Sequence, residues 1–241
     1  MIDTIDVEKS FTGRYGAPGQ KREKKHKATP EDIERQNLWN SIKKLTRKIN
    51  ANFTTGDHHV ILTYRKENRL SVEQSKKAIK KFLRVMRGEY KKVGLPFKWI
   101  LTTEYENKAI HHHLVINDGF EYGINTMRLV QELWEYGRPK ETPLDDTGDY
   151  KDLAAYFVKE TARTNKEKSK PSYQCSRNLV TPEPEVEIIG AKTFSKNPKP
   201  FQGYYIDKDS LIEGINPVTG FLYQHYTMIR IKNPKKKKGG G

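Results

Sequence analysis

The sequence predicts an α+β fold, a central antiparallel sheet with helices packed on it, and three observations carry that expectation. Short β-branched or apolar runs of strand length alternate with longer segments of helical period. Two of the runs, Phe97 to Glu106 and Ala109 to Asn117, are separated only by Asn107-Lys108, which is hairpin spacing. The order strand, helix, strand, strand, helix suits helices layered on an antiparallel sheet. At 241 residues the chain can bury a substantial core. A basic N-terminal arm and an irregular C-terminal extension are expected to flank it.

Residues 1–28 contain Gly13, Gly16, Pro18 and Gly19, then the run Lys21-Arg22-Glu23-Lys24-Lys25-His26-Lys27. Such a segment has little to bury and reads as a flexible basic arm. The main domain is expected over 29–165. At Thr29-Pro30-Glu31-Asp32 the helix-start signals coincide: a capping hydroxyl, proline at the first helical position, then acids at the positive end of the dipole. This helix should reach about Asn50, with Ile33, Leu38, Ile42, Leu45 and Ile49 as a broken apolar stripe. Val60-Ile61-Leu62-Thr63-Tyr64 predicts a central strand, with His58 and His59 in the loop before it. Ser71 caps a helix running to about Val93 and ended by Gly94 and Pro96. Its buried face is Ile79, Phe82, Leu83 and Met86, and Lys76, Lys77, Lys80 and Lys81 point outward. After the hairpin, helices are expected around 126–135 and 149–164.

Beyond Asn165 the pattern loosens into an extension over 166–234. It opens on the charged run 166–171 and is broken by Pro182, Pro184, Pro198 and Pro200. Strands are expected there at Val186–Ile189 and Tyr226–Ile231. Residues 235–241, lysines then glycines, read as a disordered tail.

Composition excludes several classes. Hydrophobic residues are 34% and charged residues 31% of the chain, and no apolar run approaches the roughly 18–20 residues that span a bilayer. The start, Met1-Ile2-Asp3-Thr4, lacks the basic-then-apolar layout of a secretory signal. The single cysteine, Cys175, rules out an internal disulfide framework and a cysteine-cluster zinc site. A cytoplasmic protein with no membrane partner is the expectation. Lys and Arg number 45 against 30 Asp and Glu, a net charge of +15. That excess favours polyanions, which release condensed counterions on binding.

The chemistry centres on Ile110-His111-His112-His113-Leu114-Val115-Ile116. Side chains alternate along a strand, so His111 and His113 share one face and His112 takes the other. Two imidazoles so spaced can share a metal ion. A two-residue turn at Asn107-Lys108 pairs Glu104 with His111, giving a His-His-carboxylate set that leaves coordination positions for water and a substrate oxygen. Glu106 has the same parity and is the reserve ligand. A ligand set on His112 would lie on the face away from Glu104, so His111 and His113 are preferred.

The second piece is Asp152-Leu153-Ala154-Ala155-Tyr156-Phe157-Val158-Lys159-Glu160. On a helix Leu153 and Phe157, like Ala154 and Val158, are i,i+4 neighbours and form a buried face. Tyr156 and Lys159 sit together near the polar edge. A tyrosine of pKa about 10 is a poor nucleophile at neutral pH; a nearby ammonium favours the phenolate and can hold the phosphate under attack.

In this order, a hydrophobic strand ending in Thr63-Tyr64, His111-His112-His113 on a strand, and Tyr156-x-x-Lys159 on a helix, the chain resembles the HUH replication initiators over about residues 55–165. The resemblance implies a sheet of the HUH, RNA-recognition or ferredoxin-like kind. It implies Mg²⁺ or Mn²⁺ held by His111 and His113 and completed by Glu104. Tyr156 then attacks a phosphate of single-stranded origin DNA, expected as a hairpin, keeping a 5′-phosphotyrosine link and freeing a 3′-hydroxyl. Lys159 orients the phosphate or the phenol. This is how rolling-circle replication of a small mobile element starts and, by strand rejoining, ends. The segments 203–207 and 215–220 are similar to the tail of replication proteins from small elements of Gram-positive bacteria. The middle residue of the His-x-His motif is normally a bulky hydrophobic, and His112 departs from that.

Relaxases carry the tyrosine ahead of the histidines, unlike this chain. Single-tyrosine HUH transposases share the order and remain an alternative. No Gly-x-x-x-x-Gly-Lys-Ser/Thr sequence is present, so unwinding falls to a host helicase and synthesis to a host polymerase. A non-catalytic single-strand-binding sheet, stacking bases on Tyr64, Trp99 and Tyr105, is the alternative of a different class.

Overall fold

The computed structural model describes residues 3–11, 27, 29–106, 109–164, 173–190, 193–216 and 220–232. In chain order the elements are β1 (Thr4–Ser10), α1 (Pro30–Asn52), β2 (His58–Leu62), α2 (Val72–Lys92), β3 (Trp99–Glu106), β4 (Ala109–Ile116), α3 (Thr126–Leu133), β5 (Lys140–Pro143), α4 (Lys151–Thr164), β6 (Gln174–Cys175), β7 (Tyr204–Ile206), β8 (Ile212–Ile215) and β9 (Leu222–Arg230). The fold is α+β with two antiparallel sheets. The chain divides into two compact units, Asn37–Pro182 and the pair of segments 1–36 and 183–241. Sequence pattern alone places the main domain over 29–165.

The unit Asn37–Pro182 is built on a five-stranded sheet in the order β5-β2-β4-β3-β6. Strand alternation sorts its apolar residues onto two faces. Val60, Leu62, Trp99, Leu101, Leu114 and Ile116 face α2 and α3, whose Ile79, Phe82, Leu83, Met86 and Val130 complete one core. Ile100 and Val115 face the other way, against Leu45 and Ile49 of α1 and Ala154, Phe157 and Val158 of α4. Both helix faces match the periodicity expected of them. Ile33 does not join the α1 stripe and is 51% exposed.

The helix ends follow local chemistry. Ser71 Oγ accepts from the Gln74 N–H while the Gln74 side chain accepts from the Ser71 N–H, a closed capping box. Thr29 and Asp32 make the same exchange ahead of α1. Gly94, at φ 74°, ends α2 in the left-handed region that favours glycine. The hairpin register is the expected one: Glu104 pairs with His111, Tyr105 with Ile110 and Glu106 with Ala109. Its turn residues, 107 and 108, lie outside the described residues.

The other unit carries a four-stranded sheet in which β9 pairs with β1, β7 and β8. Here expectation and structure differ. Thr4–Ser10, within the expected flexible arm, is a strand: its polar-apolar alternation follows a half-buried edge, and Asp6 meets the His225 ring. Most of the remaining arm and the 235–241 tail lie outside the described residues. Val186–Ile189 forms no strand and Val186 is 84% exposed; an apolar run without a partner strand has no ladder to join. β5 carries no strand signal in its sequence, since Lys-Glu-Thr-Pro has no apolar face, and all four residues are exposed on the sheet edge.

Candidate nuclease site

β4 turns His113 toward the face covered by α4 and His112 toward α2 and α3. The surroundings of the two rings differ accordingly. His112 is 1% exposed. Its Nε2 lies 2.8 Å from the Tyr64 hydroxyl and its Nδ1 2.9 Å from the Thr103 hydroxyl. Burial, then the neighbouring His113 and His111, push its pKa down to about 3, so the ring is neutral. A histidine stands where a bulky hydrophobic is usual because two hydroxyls satisfy both its nitrogens. Tyr64 is thereby spent on the core side, and burial raises its pKa. Trp99 is buried. Neither is placed as an open stacking platform.

On the other face, three predicted residues converge. His113 Nε2 lies 3.2 Å from Glu104 Oε2, and the Tyr156 hydroxyl lies 3.3 Å from that nitrogen and 3.4 Å from that carboxylate oxygen. The Tyr156 ring stands edge-on to His113 at 5.1 Å between centroids. α4 delivers the phenol because Ala154, Phe157 and Val158 anchor its other side in the core. Tyr156 keeps 37% of its surface exposed, so an incoming phosphate has access. Lys159, one turn on, is exposed.

His111 lies on the same strand face, directly across from Glu104. The Glu104 carboxylate nevertheless bonds diagonally to His113, as facing strands allow for longer side chains. His111 is near enough to His113 to contribute, after burial, to holding the His113 pKa at about 4. His113 and Glu104 thus present two ligand atoms at the spacing of neighbours on one cation, and a nitrogen-and-oxygen set suits Mg²⁺ or Mn²⁺; His111 must turn its ring to complete it. Among the described residues, the one trio of such groups with all ligand atoms within 4.8 Å of one another is Asp6, Glu8 and His225, in the other unit. Glu106 is described in backbone only.

His58 and His59, expected in a loop, both belong to β2. His59 pairs across from Val115 and so shares the face of His113. Its Nε2 lies 3.4 Å from His113 Nδ1, and the rings stack at 5.6 Å. Burial, then His113, lower its pKa to about 4. A neutral His59 can accept the Nδ1–H of His113, which leaves His113 Nε2 with a lone pair for a cation. The parity of His59 with Ile61 is the sequence signal that points to it. His58 faces the other way, its Nδ1 2.5 Å from Glu141 and its Nε2 2.9 Å from Asp118, and ties β5 to the loop after β4.

Residues 57–164 match the family model of the replication-associated protein ORF2. The match spans all of β2, the His-x-His strand and α4, and supports a replication initiator. No curated protein and no solved structure matches the chain.

Proposed function

We propose that the protein is a replication initiator that nicks single-stranded origin DNA through Tyr156 in a metal-dependent reaction, as HUH enzymes do. The observation that carries this is the convergence of Tyr156, His113 and Glu104, within 3.4 Å of one another although far apart in the chain. The matched replication family supports the same role.

In this reading His113 and Glu104, with His111 turned in, hold Mg²⁺ or Mn²⁺. A bound cation supplies positive charge to the non-bridging oxygens of the scissile phosphate. The Tyr156 oxygen attacks phosphorus, the bond to the 3′ oxygen breaks, the phenol proton is lost and the departing oxygen gains one. The products are a 5′-phosphotyrosine and a free 3′-hydroxyl for a host polymerase. The Lys159 ammonium favours the phenolate and steadies the phosphate. His59 fixes the His113 ring. The protein works with a host helicase in the cytoplasm of a bacterium.

The test is incubation with a labelled pool of single-stranded DNA of randomised sequence and Mn²⁺, followed by a denaturing gel. A covalent protein–DNA band lost in Tyr156→Phe and in EDTA supports the reading. Binding with no adduct would instead favour a non-catalytic module.

A further inference from the structure

α2 carries a second feature of the same unit, on the sheet face away from Tyr156. Its 21 residues include eight lysines and arginines against two glutamates. The apolar face, centred on Ile79, Phe82 and Met86, is buried in the core with Val60, Leu62 and Leu114. The cations therefore gather on the opposite side of the helix. Lys77, Lys80, Lys81 and Arg84, with Leu70 and Tyr136, line a cavity of about 650 Å³ that no carboxylate lines. Lys81 pairs with Glu135 at 3.4 Å, whereas among the described residues no ion pair engages Lys77, Lys80 or Arg84. Both acids of the helix lie near its ends, Glu73 paired to Lys76 and Glu89 to Lys92. Mutual repulsion of the middle cations is left uncompensated within the chain, and a polyanion relieves it.

We infer that this groove binds the phosphate backbone of duplex DNA, a contact separate from the single-strand site around Tyr156. The occupant is a duplex for two reasons. Single strands are gripped by successive aromatic platforms, and this lining has one aromatic, Tyr136, packed edge-on against Trp134. The cations also ride on a rigid helix, Lys77 and Arg84 being seven residues or about 10 Å apart along the axis, which suits phosphates held at fixed spacing. The inference rests on the replication reading only in taking DNA as the polyanion; it places flanking duplex on one face of the sheet and the nicked strand on the other.

The test uses the full chain and its Lys77→Gln/Lys80→Gln/Arg84→Gln variant, with fluorescence anisotropy on a labelled 25-base-pair duplex of arbitrary sequence at several NaCl concentrations. Losing three phosphate contacts lowers the slope of log K against log salt by about 2.7, and adduct formation on the randomised single-stranded pool stays within twofold of wild type. A duplex slope within about 0.5 of wild type overturns the inference. So does an equal loss of affinity for single strands, or an equal loss of slope on neutralising Lys44, Lys98 and Lys140 instead. If wild type forms no adduct at all, the nuclease reading fails, while the duplex slope still decides the groove.

Discussion

The Tyr156 hydroxyl lies 3.3 Å from Nε2 of His113, across 43 residues of chain. A helix and a strand bring them together because Phe157 and Val115, their neighbours in sequence or two places along, share one core. The distance is a consequence of packing, and that gives it consequences for mutation.

Loss of His113 should weaken Mn²⁺ binding more than loss of His111. His113 already meets Glu104 and Tyr156, whereas His111 must reorient to join them. Titration of Mn²⁺ by electron paramagnetic resonance is expected to show at least a tenfold larger dissociation constant for His113→Ala than for His111→Ala.

His59 acts on the cation through His113. Removing the partner of a ligating histidine costs on the order of 10–100-fold in metal affinity. His59→Phe keeps an aromatic against Phe157 but offers no acceptor, so the full loss is expected. His59→Gln offers a carbonyl oxygen and should recover most of it; equal affinities for the two variants would refute the assignment.

His112 makes stability depend on pH. Folded, it stays neutral down to about pH 3; unfolded, it titrates near 6.5. Between those values the unfolded chain binds more protons, so this contribution is complete above pH 6.5 and is lost as pH falls toward 3. The slope is at most about 1.4 kcal/mol per pH unit. His59 and His113 act in the same sense. In urea unfolding, His112→Leu should reduce the stability lost between pH 6 and pH 5 by about 1 kcal/mol, whatever it does to stability at pH 7.

Gly137 guards the end of β2. A Cβ there would lie 2.0 Å from the Thr63 carbonyl oxygen, which already accepts from Trp134 Nε1 at 2.8 Å. Gly137→Ala should cost about 3 kcal/mol or more by displacing backbone, read as a lowered unfolding midpoint.

The hairpin and its ligand register can be read from the sequence because a two-residue connection leaves few ways to pair Glu104 with His111. The α2 and α4 faces are legible from their period. His59 is not, because strand propensity starts at Val60 and a histidine pair before it resembles a loop; only pairing with β4 extends β2 back to His58. β1 escapes a sequence reading because its partner, β9, lies more than 200 residues away and its own residues are mostly polar. The diagonal bond from Glu104 to His113 depends on side-chain reach, which register alone does not specify.

The most direct measurement is mass spectrometry of the protease-digested covalent complex formed with single-stranded DNA and Mn²⁺. A nucleotide on the peptide bearing Tyr156, absent without the cation, is the predicted result. A nucleotide on another tyrosine, or an undiminished adduct in Tyr156→Phe, would contradict it.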